Sequence, residues 1–257
     1  MKNLKVAIVQ DYMRYGGRFM VITSMIETLN SLHITPDLLS FVSDIDSKGV
    51  EEKYQSNLKF SNVSVPFNFF KKMTEFRKIW FNLMISLKYA HKYDVIINSN
   101  NVAILLTSKK TLNYFHFPRY DRILKNEFFK THTNVYFKTK LLVRLDYRLS
   151  ETLYRIFASG KHQINIANSE FTKSRLSEVR EISLSKISVL YPPVVTGNLS
   201  DYEYSKKKDL IISIGRFSQT KNQLLQLQIA KENPNLRFKL IGFSKDENSY
   251  LDSCYEY

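Results

Sequence analysis

The feature that most limits the fold of this chain is an alternation. Short apolar, β-branched runs recur at Leu4–Gln10, Asp37–Ser43, Lys59–Phe67, Tyr93–Asn100, Thr111–Pro118, Gln163–Ser169, Ile187–Val195, Asp209–Gly215 and Leu236–Phe243. Several of the segments between them carry helical patterning. In Gly16–Leu32, apolar Met20, Ile22, Met25, Ile26 and Leu29 follow a spacing near 3.6. Phe69–Tyr93 has a stripe of Phe76, Ile79, Trp80, Leu83 and Leu87, and reads as one long helix or a pair. Ser169 stands as the N-cap of a helix carrying Phe171, Leu176 and Val179, and Lys221–Asn233 reads as another helix. Strands alternating with helices imply βαβ units and a parallel sheet covered on both faces. Such sheets bind ligands beyond the carboxyl ends of their strands, so residues just after each run are the ones to inspect.

Composition narrows the class. The 257 residues are 44% hydrophobic and 24% charged, enough for a real core, and only 7 Gly and 6 Pro argue against a disordered or turn-dense chain. The single cysteine, Cys254, forms no internal disulfide. The N-terminus enters a β-like run directly, and no stretch has 18 uninterrupted apolar residues, so a cytoplasmic, non-spanning protein is expected. Net charge is +14 and uneven: residues 71–150 hold 16 Lys and Arg against 5 Asp and Glu. A field of that sign favours anionic partners, although a basic solvated face is an equal reading. The basic half of Phe69–Tyr93 also fits a helix lying in a membrane interface, whereas packing on a sheet is the reading favoured.

Three strand ends carry candidate chemistry. The first run leads into Gly16–Gly17, where backbone N–H groups and a helix N-terminus are open to a ligand; this is a weak signal, since paired glycines also mark plain loops. The fifth run ends in HFPRYDR, with His116 at its tip and Arg119, Asp121 and Arg122 close by. Histidine exchanges protons near neutral pH or hydrogen-bonds hydroxyls, although most lone histidines are structural. The strand IISIG is followed by Arg216 and Lys221. Arginine forks onto two phosphate oxygens and lysine adds a point charge, a pairing suited to a diphosphate whose charge grows as a group departs. Two plain surface cations are the alternative, unfavourably placed beside a helix N-terminus. There is no GxGxxG, P-loop, GxSxG or HExxH pattern, and five scattered histidines make a metal site unexpected. No zinc-finger or RNP-like pattern supports nucleic-acid binding.

Taken in order, the Gly16–Gly17 loop, YFHFPR around His116, IANSEFTKSRL (Ile166–Leu176), VLYPPV (Val189–Val194) and SIGRFSQTKN (Ser213–Asn222) resemble the GT4 family of retaining GT-B glycosyltransferases. The YFHFP and YPP wording is similar to mannosyltransferases that extend lipid-linked oligosaccharides. The resemblance spans nearly the whole chain. It implies an α/β, GT-B-like fold: a complete N-terminal, acceptor-side Rossmann-like domain at 1–195, a linker at 196–208, and the first βαβ portion of a nucleotide-sugar-binding domain at 209–257. It implies His116 near the donor sugar and acceptor hydroxyl, Arg216 and Lys221 on the leaving diphosphate, and Gly17 by the donor phosphates. Gly16, Arg119 and Ser169 would lie on the cleft and acceptor side. The donor would be a nucleoside-diphosphate sugar, with no metal or other cofactor, and the acceptor a lipid-linked or other glycan. Contact with an anionic membrane surface through 71–150, at its cytoplasmic face, would follow.

Two departures stand out. The glycine loop continues Arg18-Phe19, where the family usually has Ala-Glu. The family's Glu-x7-Glu motif is also absent after LIGF, because Glu247 and Glu256 are nine apart and too early. A C-terminally truncated chain with an incomplete donor site is therefore expected. Either it derives from a glycosyltransferase, or it is a non-catalytic glycan- or lipid-diphosphate-binding subunit whose partner chain supplies the rest of the donor half.

Overall fold

The computed structural model describes residues 4–13, 16–43, 57–65, 74–101, 110–117, 148–149, 152, 163–194, 209–243 and 249–257. Arg119, the linker candidate 196–208, Glu247 and much of the basic segment 71–150 lie outside the described residues. The chain divides into two compact units, Met1–Val194 and Val195–Tyr257.

The first unit is a doubly wound parallel sheet. Its strands are β1 (Val6–Val9), β3 (Asp37–Ser40), β5 (Ser61–Ser64), β6 (Val95–Asn98), β7 (Lys110–Phe115), β8 (Gln163–Ala167) and β9 (Ile187–Val189). Their spatial order is β5-β3-β1-β6-β7-β8-β9, with every neighbouring pair parallel. The order runs outward one way from β1 and the other way from β6, so the Rossmann-type switch point lies between those two strands. The run Asp37–Ser43, read as one strand, is split by Phe41. Its last residues form β4 (Val42–Ser43), which pairs with β2 (Tyr12–Met13) in a separate two-stranded sheet.

The pleat explains the two cores. Successive side chains of a strand point to opposite faces. Ile8 and Leu38 pack with Phe19, Ile22 and Ile26 of α1 (Gly17–Ser31), whereas Ala7, Val9 and Leu39 pack with Phe81 and Ile85. Phe81 belongs to α2 (Thr74–Met84), which continues into a π-helical turn at Ile85–Tyr89. The face it buries is not the stripe read from the sequence. Ile79, Phe81 and Ile85 are buried, while Trp80 is 38% and Leu87 66% exposed. Phe81 and Ile85, four residues apart, share the buried face, and Leu87 falls on the side away from Ile85.

The helix after β8, α3 (Glu170–Arg180), has the cap read from the sequence: Ser169 Oγ accepts from the Thr172 backbone N–H at 3.2 Å. Leu176 fills the core against Phe115, Ala167 and Ile187, but Phe171 points to solvent, 62% exposed.

The second unit is described by β10 (Leu210–Ile214), α4 (Gln223–Glu232), β11 (Arg237–Ile241) and α5 (Ser249–Glu256), with β10 and β11 parallel. It is far less buried. Ile214 is 79% and Ile212 53% exposed, and of its described residues only Gln223 is fully buried.

Replacing Ser169 by Ala removes the α3 cap and is expected to cost about 1 kcal/mol, whereas Ser169→Asp retains an acceptor and most of the stability. Urea unfolding of both variants checks this; equal stabilities would show that the cap contributes nothing.

Candidate functional site

The carboxyl ends of β1, β6, β7 and β8 hold an almost unbroken set of buried polar side chains. Gln10 and Asp11 follow β1, Asn98 to Asn101 close β6, and Asn113 lies within β7, all no more than 5% exposed. Burying amides costs free energy unless their hydrogen bonds are made. Here most are made in sequence. The Asp11 backbone N–H donates to Asn100 Oδ1 at 3.0 Å, and the Asn100 N–H donates to Asn98 Oδ1 at 3.1 Å. Asn98 Nδ2 donates to Asn113 Oδ1 at 2.8 Å. Asn113 Nδ2 donates in turn to Gln163 Oε1 at 3.0 Å and Asn165 Oδ1 at 3.3 Å. All these donors point the same way across four strands. On the β1 side, Asp11 Oδ1 also accepts from Gln10 Nε2 and from the Tyr12 N–H.

His116 sits at the tip of β7 and is held from neighbouring elements. Its backbone N–H donates to Asn101 Oδ1 at 3.0 Å, and its carbonyl accepts from Asn168 Nδ2 at 2.9 Å. Ser99 Oγ lies 2.9 Å from Nε2, and Tyr114 packs against the imidazole edge to face, with ring centroids 5.0 Å apart. Tyr114 is itself anchored by its hydroxyl, which donates to the Leu190 carbonyl at 2.8 Å. Burial pushes the His116 pKa from 6.5 down to about 4; the nearby Arg18 charge adds to that shift, and a hydrogen bond to the Ser99 backbone opposes it. His116 is therefore a neutral imidazole at pH 7, with one ring nitrogen donating and the other accepting.

Arg18 occupies the first turn of α1. The turn has no acidic residue and no side-chain cap, so its positive dipole end is unmatched from within the helix. Gly16 precedes it with φ 150° and ψ −175°, a region essentially confined to glycine. Space is open where a Cβ would stand at Gly17. Ser169 joins this neighbourhood through Asn168, whose Oδ1 accepts from Ser169 Oγ at 3.2 Å. Of the residues singled out from the sequence, His116, Ser169, Gly16 and Gly17 are thus placed at the carboxyl ends of the strands.

Arg216 and Lys221 lie in the second unit, in the loop between β10 and α4. The residue organising that loop is Gln223. Its Nε2 donates to the Arg216 carbonyl at 3.0 Å, and its Oε1 accepts from the Ser218 N–H at 3.2 Å. Lys221 ends a 3-10 turn, and Asn222 then adopts a left-handed conformation (φ 52°) before α4. Both cationic side chains are exposed, and neither forms an ion pair among the described residues. The loop also crosses the chain after β11 closely. A Cβ on Gly242 would stand 1.9 Å from the Gly215 carbonyl oxygen, so no side chain fits there without moving the loop.

Sequence reasoning passed over Ser99, Asn113 and Gln223. Only the polar run after β6 carried a signal, and it marked the strand end without separating Ser99 from its neighbours. Among the described residues, no group of three or more His, Cys, Asp or Glu could hold a metal ion, and no helix is long and apolar enough to cross a membrane.

No protein-family model matches the chain. No curated protein matches it. Solved structures do. The Anabaena protein HepE, in complex with UDP and glucose, is similar at 14% identity over 93% of this chain and 69% of its own, with a TM-score of 0.48. The glycosyltransferase SnogD from Streptomyces nogalater is similar at 8% identity over 96% and 68%, with a TM-score of 0.48. The UDP-GlcNAc 2-epimerase from Neisseria meningitidis, bound to UDP-GlcNAc, is similar at 12% identity over 98% and 75%, with a TM-score of 0.46.

The depressed pKa of His116 has a consequence for stability. As pH falls, the unfolded chain takes up this proton first. The His116 contribution is therefore complete above pH 6.5 and is lost on acidification through the window from 6.5 to about 4. Its scale is on the order of 3 kcal/mol. Urea unfolding near neutrality and at about pH 4.5 should show a larger loss for the wild type than for His116→Gln. Equal losses would contradict a desolvated, neutral His116.

Proposed function

We propose that this chain is a GT-B-type glycosyltransferase chain that uses a nucleoside-diphosphate sugar as donor and a lipid-linked or other glycan as acceptor. The observation that carries the reading is His116: a neutral imidazole held at the carboxyl end of β7, in a doubly wound sheet that binds ligands at that end. A group with a pKa near 4 is a weak base at pH 7 and is not a proton donor there. It is well suited to hydrogen-bonding a sugar hydroxyl, which donates and accepts as the imidazole does.

The rest of the reading distributes the remaining parts. Arg216 and Lys221, unpaired among the described residues, receive the donor diphosphate and stabilise its growing negative charge. Within the first unit, Gly16, Gly17 and the N-terminus of α1 offer backbone N–H groups to phosphate or acceptor, with Arg18 adding positive charge beside them. With two cations on the diphosphate, transfer proceeds without a metal ion or other cofactor. The finer assignment follows the sequence resemblance: a GT4-like retaining transfer of a hexose, mannose among the candidates, at the cytoplasmic face of a membrane that the basic segment 71–150 contacts.

A second reading is favoured by one observation. The apolar side chains of β10 stand open, with Ile214 79% exposed. A glycan- or lipid-diphosphate-binding subunit, completed by a partner chain that covers this sheet and supplies the rest of the donor half, fits that exposure. Donor turnover by the 257-residue chain alone separates the two: sustained transfer supports the enzyme, while binding without turnover supports the subunit.

Arg216→Ala and Lys221→Ala should each weaken UDP or GDP binding by about 1.5–3 kcal/mol, the scale of a charge-assisted contact. Isothermal titration calorimetry reads this, and a double variant that binds as well as wild type rules out the phosphate assignment. His116→Ala should leave nucleotide affinity within about twofold and abolish transfer, since its contact forms with hydroxyls rather than with phosphate. Retained transfer would remove His116 from the site.

A further inference from the structure

Imidazoles that work in sites are commonly oriented by a carboxylate on the second ring nitrogen, which also raises the pKa. His116 lacks that arrangement among the described residues. Its ring meets the Ser99 hydroxyl and the Tyr114 ring, with Arg18 as the charge acting on it.

Ser99 is fully buried, and its main chain is already fixed without its hydroxyl, because its N–H donates to the Val9 carbonyl at 2.9 Å. The main chain of His116 is likewise fixed on both sides, by Asn101 and Asn168. The Ser99 hydroxyl is therefore not needed to hold either segment, yet it lies 2.9 Å from Nε2. A neutral imidazole has one donor and one acceptor nitrogen, and a hydroxyl can meet either.

We propose that Ser99 is a positioning residue for His116, whose buried hydroxyl holds the neutral imidazole in one ring orientation at the carboxyl end of β7. The role extends the glycosyltransferase reading and rests on it only for its catalytic consequence. A neutral orienting group keeps His116 uncharged beside Arg18, where a carboxylate would draw a proton onto the ring. It also sets which face of the site meets a hydrogen-bond donor and which meets an acceptor, and so discriminates among sugar hydroxyl geometries.

The experiment is nitrogen NMR of the full chain labelled at its five histidines, with His116→Gln identifying the His116 signals. In the wild type, one His116 ring nitrogen should resonate as protonated and the other as unprotonated. In Ser99→Ala the Nε2 signal should shift as its hydroxyl partner is lost and the ring reorients, while Ser99→Thr restores it. Ser99→Cys, with a weak donor and acceptor, repeats the Ala result should the Ala variant fold poorly. Unchanged ring signals in Ser99→Ala or Ser99→Cys overturn the proposal. Where a donor is turned over, kcat should fall roughly tenfold in Ser99→Ala with nucleotide affinity unchanged. A ring signal that shifts in Ser99→Ala, in a chain that transfers with no donor, would uphold the positioning role and sink the glycosyltransferase reading.

Discussion

The directional chain of amides across β1, β6, β7 and β8 is the constraint on which the ligand end of the first unit depends. Asn98 and Asn113 are fully buried in a sheet whose buried side chains are mostly apolar. Each pays desolvation, and each is tolerable only because its neighbour supplies the matching partner. Removing one amide strands the next, so the set behaves as a unit. It links four parallel strands, from the carboxyl ends of β1 and β6 through the interior of β7 to β8. It also delivers Ser99 and Asn101 to the His116 backbone and ring. The chain is incomplete at its β1 end, where Gln10 Oε1 and Asn100 Nδ2 are buried without a hydrogen-bond partner. An acceptor and a donor left over side by side in the sequence of contacts are what one water or hydroxyl satisfies.

A polar network of this kind explains why the imidazole is neutral. Amides and hydroxyls orient a ring without adding charge. Burial then acts on His116 with only the Ser99 backbone bond against it, and Arg18 reinforces the effect. Neutrality is thus a property of the surroundings rather than of the residue, and it turns a proton-transfer side chain into a hydrogen-bonding one.

Much of this was legible from the sequence. Strands covered on both faces read as apolar runs, so all nine runs contain a strand, and the alternation with helices announced a parallel sheet. Ser169 was legible because a cap is a local device. His116 was legible because a proline-terminated strand end is a local mark. Ser99, Asn113 and Gln223 were not, since their meaning lies in partners up to 52 residues away or across a loop. The helical stripe was misread for a different reason. Several apolar residues fit the period on more than one side of the helix, and the sheet takes up the face of Phe81 and Ile85 rather than that of Trp80 and Leu87. The splitting of Asp37–Ser43 at Phe41 likewise depends on β2 being there to pair with β4.

The two units use opposite electrostatic devices, and the contrast bears on the proposed reading. In the first unit the candidate groups are buried, mostly neutral and bonded to one another, so each contributes a modest net energy but a strict geometry. In the second, Arg216 and Lys221 are exposed and held through the backbone by Gln223, leaving their charges available. Exposed cations bind many diphosphates with similar strength, because phosphate charge is common to all of them. Under the proposed reading, discrimination among sugars and acceptors comes from the neutral set, where a hydroxyl in the wrong place leaves a buried polar group unpaired. That reading assigns affinity to the β10–α4 loop and selectivity to His116 and the residues that orient it.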